Sequence, residues 1–165
     1  MALTIANSIG MTSSQSDLTL LGKFQAALCN VCPVSAGLAI ATSKAKVKFT
    51  GTLRYFCGGV LCAKAATDNF WTLSGTILTA TYNVFLLGID ASGTAVAQMG
   101  TAGASLAAVV FPTPASTTTV LGFVIVAPSG TGSFVGGTTE LDDATVVPNA
   151  VYVNTSGIPT TLFAL

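Results

Sequence analysis

The apolar residues of this 165-residue chain come in short runs, each closed by Gly, Pro or a polar turn. Runs such as Ser105–Phe111 and Val120–Ala127 stop far short of the roughly 20 apolar residues a membrane-spanning helix needs. Yet 51% of the residues are apolar and the mean hydropathy is +0.74. That content has to be core, or surface that another chain covers. Thr and Ala each occur 24 times, and Thr favours strands because its branched Cβ packs well on a pleated surface. Short strands separated by turn residues predict an all-β chain. The expectation is a single β-sandwich or barrel-like domain over residues 34–165. An extended N-terminal arm over 1–33 precedes it, with room for one short helix.

Local patterns place the strands. Asp17 can cap a helix through Cys29, since Leu21, Phe24 and Leu28 share a helical face, although Gly22 and the Cys/Pro cluster after it oppose this. In Ala45–Thr50, Val47 and Phe49 alternate with Lys46 and Lys48, which predicts an amphipathic strand with a basic face. Gly58-Gly59 offers a hairpin turn between Thr52–Cys57 and Val60–Lys64. Asn83–Asp90 reads as a buried strand, Ala91-Ser92-Gly93 as its turn, and Thr94–Met99 as the return with Ala95, Ala97 and Met99 on one face. Ser105–Phe111 fits either a strand or a short helix. Val120–Ala127 is a central strand, Phe134-Val135 a short one between Gly-rich turns, and Val151–Asn154 the last.

Neutrality conceals polarity. Six basic and six acidic side chains cancel, with no histidine. All six cations (Lys23, Lys44, Lys46, Lys48, Arg54, Lys64) lie before residue 65 with a single acid, Asp17. The other five acids (Asp68, Asp90, Glu140, Asp142, Asp143) follow in a stretch without Lys or Arg. Either the two parts fold together and solvate opposite faces, or a basic face carrying Lys44, Lys46, Lys48 and Arg54 docks on an acidic partner. A balanced charge is not that of a nucleic-acid binder, and three lysines on an edge strand also guard against aggregation.

Little here supports catalysis. Histidine, the commonest acid–base side chain, is absent, no Gly-x-Ser-x-Gly elbow occurs, and no Gly-Lys-Ser/Thr phosphate loop occurs. Ser43 and Lys44 are adjacent, so on a strand they face opposite ways. Cys29, Cys32, Cys57 and Cys62 form two pairs whose spacing can support a zinc site. Free thiols packed as small hydrophobes are the simpler reading. Asp142-Asp143 with Glu140 could hold calcium, though adjacent acids in a loop more often form a solvated turn. The residues thus predict no enzyme, no cofactor and no resident metal. The N-terminus lacks a basic n-region and a compact apolar core, so no export signal is expected.

The stretch Thr52–Gly75 (TLRYFCGGVLCAKAATDNFWTLSG) resembles a segment of small virion structural proteins of tailed bacteriophages, most specifically in Ala65–Gly75. Phe85–Val96, Val120–Ala127, Thr138-Thr139 with Leu141-Asp142, and Val151–Asn154 extend the resemblance over roughly residues 45–155. The arm and the four cysteines lie outside it. The resemblance implies a non-enzymatic capsid decoration (cement) protein on the virion surface, made in the host cytoplasm. It implies a β-rich homo-oligomer, a trimer foremost, that binds the major capsid protein and neither nucleic acid nor membrane, using its arm to clasp neighbouring subunits. A head-fibre or tail-associated host-binding protein is the alternative, and a small Cys-based zinc protein a third. In Ala65–Gly75, Asp68 and Asn69 are expected to turn the chain, with Phe70 and Trp71 sealing the core or anchoring an interface.

Overall fold

The computed structural model describes residues 28–148 and 150–155. The expected arm over 1–16, and nearly all of the expected helix after Asp17, lie outside them. In chain order the strands are β1 (Leu38–Ile40), β2 (Lys46–Phe49), β3 (Leu53–Cys57), β4 (Val60–Lys64), β5 (Thr67–Thr72), β6 (Thr76–Ile77), β7 (Asn83–Asp90), β8 (Ala95–Met99), β9 (Thr118–Val126), β10 (Phe134–Val135) and β11 (Val151–Asn154). One 3-10 turn, Leu106–Ala108, interrupts them. The chain is all-β. A three-stranded sheet runs β1-β2-β5 and a four-stranded sheet β11-β9-β7-β8, with β3-β4 and β10-β6 as separate pairs; the sheets close no barrel.

Alternation decides the faces. Along β7, Phe85, Leu87 and Ile89 point into a core shared with Val47, Phe49 and Trp71 of the three-stranded sheet. Ala95 and Ala97 of β8, Val124 of β9 and Tyr152 of β11 sit opposite these in register and extend the same face. The two sheets are therefore layers over one core. Cross-layer hydrogen bonds tie them: Trp71 Nε1–H donates to Gly88 O at 2.8 Å, and Leu38 N–H to Asn154 Oδ1 at 2.9 Å. The β3 side of the hairpin closes the core with Leu53, Tyr55 and Cys57, and Thr119 Oγ1–H holds it to β9 through Phe56 O at 2.6 Å.

β7 is buried on its second face too, which is why it reads as a continuous apolar run. Val84 and Leu86 are covered there. The chain after β8 folds back over them through backbone bridges Thr101–Val110 and Tyr82–Gly103. Gly100 permits this approach, since a Cβ there would meet Val110 O and Asn83 Oδ1. Ser105–Phe111 thus resolves into a 3-10 turn followed by a single bridge, neither strand nor α-helix.

The segment Thr67–Trp71 departs from expectation. Asp68 and Asn69 form no turn between elements. They lie inside β5, where the β2–β5 register slips between Val47–Trp71 and Phe49–Thr67. This bulge leaves Asn69 at φ +53, a conformation Asn tolerates better than most residues. The bulge aims both side chains at the β1–β2 turn. Thr42 N–H donates to Asp68 Oδ1 at 3.1 Å and Ser43 N–H to Asn69 Oδ1 at 2.9 Å.

Candidate interaction surface

The basic residues lie on three elements. Lys46 and Lys48 sit half-buried on one side of β2, while Lys44 lies in the turn before it. Lys44 Nζ stands 2.9 Å from Asp142 and 3.8 Å from Glu140, and these acids raise its pKa. Lys48 Nζ is 4.0 Å from Asp68. Hydrogen bonds from Thr42, with Lys48 adding to them, hold the Asp68 carboxyl below its usual range. Arg54 is exposed on a different element, the outer side of β3. The charge polarity of the chain is therefore in part satisfied internally, the basic first part against acids of the second. These are exposed pairs, screened by solvent, that add little to stability. Lys44 and Lys48 thus face acids of this chain, and the expected patch of Lys44, Lys46, Lys48 and Arg54 is spread over three elements, the turn before β2, β2 itself and β3.

The aromatic pair divides. Trp71 is fully buried, edge-on to Phe49 at 5.7 Å and to Phe70 at 4.6 Å, with its indole N–H on the Gly88 carbonyl. It is a core residue, which corrects its candidacy as an interface anchor. Phe70 is half-buried beneath the Lys64 ammonium, 5.5 Å from the ring centroid.

The cysteines are all free, and each described thiol bond takes its own direction. Cys32 Sγ–H donates to Val34 O at 3.1 Å and Cys57 Sγ–H to Thr117 O at 3.1 Å, whereas Cys62 Sγ lies 3.6 Å from Ala91 O. Burial pushes the Cys32 thiol up, away from the thiolate that zinc binds. Among the described residues no group of three or more His, Cys, Asp or Glu is placed to hold a metal ion. Of the acidic trio, Glu140 and Asp142 face Lys44. Asp143 Oδ1 accepts the Thr145 and Val146 N–H groups at 2.8 and 3.1 Å. It is a turn-forming acid.

A surface that the sequence patterns did not single out lies on the outer face of the four-stranded sheet. Across β9 and β11, Ile125 pairs with Val151 and Phe123 with Val153, and all four point away from the core. Phe111, carried in by the fold-back after β8, stacks edge-on over Phe123 at 5.1 Å while remaining 51% exposed. Val110, Val151 and Val153 are exposed beside it. A contiguous, uncharged apolar strip next to an edge strand is the kind of surface a second chain covers. The alternation of VYVN could have indicated it, but only pairing with β9 shows which of its two faces is outward. No helix among the described residues is long and apolar enough to cross a membrane. Compared with known protein families, with curated proteins and with solved structures, the chain matches none.

Proposed function

We propose that the protein is a structural component of a bacteriophage virion that decorates and reinforces the capsid shell. The observation that carries this reading is the outer apolar strip of Phe111, Phe123, Ile125, Val151 and Val153 on an all-β scaffold. A protein docking on a fixed lattice needs broad complementary surface, with apolar anchors at its centre and a polar rim. The strip supplies the anchors. The segment resemblance over Thr52–Gly75 supports the same reading. Within that segment Trp71 and the Asp68–Asn69 bulge serve the fold, orienting the β1–β2 turn and locking the two layers together.

Co-sedimentation with expanded phage shells stripped of their decoration tests the proposal. The wild-type chain should pellet with the shells and raise their disruption temperature. Phe111→Lys and Val153→Lys should abolish binding while leaving the circular dichroism unchanged, because both side chains are exposed. Replacing Lys44, Lys46 and Lys48 by Gln should change binding little, because Lys44 and Lys48 already face acids of this chain. Absence of binding at every salt concentration, or binding indifferent to both Lys variants, overturns the reading.

A further inference from the structure

Among the described residues the β3–β4 hairpin leaves one strand edge open, and its register says which groups lie there. Gly58 and Gly59 make a two-residue turn with φ of +59° and +79°. In such a hairpin the flanking pair, Cys57 and Val60, exchanges both ladder hydrogen bonds, and bonded and non-bonded pairs alternate from there. Tyr55–Cys62 and Leu53–Lys64 are then bonded pairs, whereas Phe56–Leu61 and Arg54–Ala63 turn their N–H and C=O groups outward. The other edge of β3 obeys this alternation. Phe56 N–H donates to Val31 O at 2.8 Å, and Val31 N–H to Phe56 O at 3.1 Å. Leu61 and Ala63 must therefore present their backbone groups along the free edge of β4, which has β3 as its sole sheet neighbour among the described residues.

That edge has few of the usual protections. Val60 and Leu61 are 62% and 57% exposed, Ala63 is exposed too, and no charge, proline or bulge interrupts Val60–Ala63. The nearest cation on the strand, Lys64, is drawn over the Phe70 ring.

We infer that β4 pairs antiparallel with β4 of a second copy of this chain, about a twofold axis at Cys62. In this register Leu61 stands opposite Ala63 of the second copy, and Ala63 opposite its Leu61. The outward residues of both strands meet and form four N–H···O=C bonds. Cys62 faces its own counterpart as a non-bonded pair, the closer of the two pair types. Lys64 falls opposite Val60, so the two Lys64 positions lie about 14 Å apart along the strands, beyond the screening length at physiological salt. The other twofold registers are worse. One centred on Ala63 brings the two Lys64 positions to about 7 Å along the strands, inside the screening length, one centred on Lys64 sets two ammonium groups face to face, and one centred on Val60 or Leu61 spends the pairing on the Gly58-Gly59 turn. Charge and backbone geometry thus select a self-complementary contact and its register. The inference rests on the hairpin alone and stands or falls apart from the virion proposal, which uses β9 and β11 of a different sheet.

The test uses the full chain in sedimentation velocity and light scattering over a wide concentration range, followed by mild oxidation. The wild-type chain should show a concentration-dependent dimer, and oxidation should trap it through a Cys62–Cys62 disulfide found by peptide mapping. Cys62→Ser should dimerise without being trapped. Ala63→Lys and Leu61→Lys should raise the dimer dissociation constant at least about tenfold with unchanged circular dichroism. Should a Lys variant fail to fold, the trapping result decides alone. A chain that stays monomeric, a dimer indifferent to both Lys variants, or an oligomer trapped through other cysteines overturns the inference.

Discussion

Replacing Trp71 by Phe probes the joint between the two layers. The indole is fully buried and donates to Gly88 O at 2.8 Å, at the point where the β7–β9 ladder shifts register. Phenylalanine keeps an aromatic ring against Phe49 and Phe70 but is smaller and has no donor. The space it leaves, roughly 40 Å³, costs about 1 kcal/mol at the usual cavity coefficient. The Gly88 carbonyl loses its indole partner inside the core, a further loss of about 1–3 kcal/mol. The sum, about 2–4 kcal/mol, is a large part of the stability of an ordinary domain. At a few degrees per kcal/mol for a chain of this size it lowers Tm by about 5–15 °C. Denaturant titration followed by far-ultraviolet circular dichroism measures it in both proteins, since Trp71 is the sole tryptophan and its fluorescence disappears with the substitution. In the wild type that fluorescence should be blue-shifted and poorly quenched by iodide. A loss below about 1 kcal/mol, or a readily quenched indole, would refute the assignment of Trp71 to the core and return it to an interface.

Two further predictions concern single polar groups. The Tyr152 hydroxyl is buried with no hydrogen-bond partner among the described residues, so Tyr152→Phe should stabilise the fold or leave it unchanged, within about 1 kcal/mol in thermal melts. Burial, with Asp142 adding to it, raises the Tyr152 phenol from 10.0 to about 12. A pKa raised by folding means stability present below pH 10 and lost as pH rises toward 12, so the Phe variant should tolerate alkali better. Asp90 is the reverse case. Its Oδ1 accepts the Ser92 hydroxyl and the Ser92 and Thr94 N–H groups, which hold the carboxyl below its usual range. Its contribution is present above the ordinary carboxylate range and lost as pH falls through the lowered value. Asp90→Ala should cost about 1 kcal/mol at neutral pH, and the two proteins should converge in acid; parallel pH–stability curves would remove Asp90 from the β7–β8 turn.

The elements that could be read from the chain are those whose cause is local. Gly58-Gly59 and Ala91–Gly93 carry their turns in their own backbone preferences, and the flanking pairs β3–β4 and β7–β8 followed. Val151–Asn154 was legible to the residue. β5 was not, because a bulge opposite Lys48 depends on the strand it faces. The candidate surface divided in the same way. A row of lysines separated by single residues looks like one face, yet Lys44 falls in a turn whose direction is set by Asp68 and Asn69 from another strand.

By itself the sequence determined the all-β class, the Gly58-Gly59 and Ala91–Gly93 turns and the strands that flank them, since each follows from neighbours along the chain. The tertiary structure alone decided which acids Lys44 and Lys48 meet, that Trp71 lies inside, and which sides of β4 and β11 stay open among the described residues. Those outcomes depend on pairing between residues far apart in sequence. A strand shows two faces and two edges to its own neighbours alike, and only the rest of the fold covers some of them.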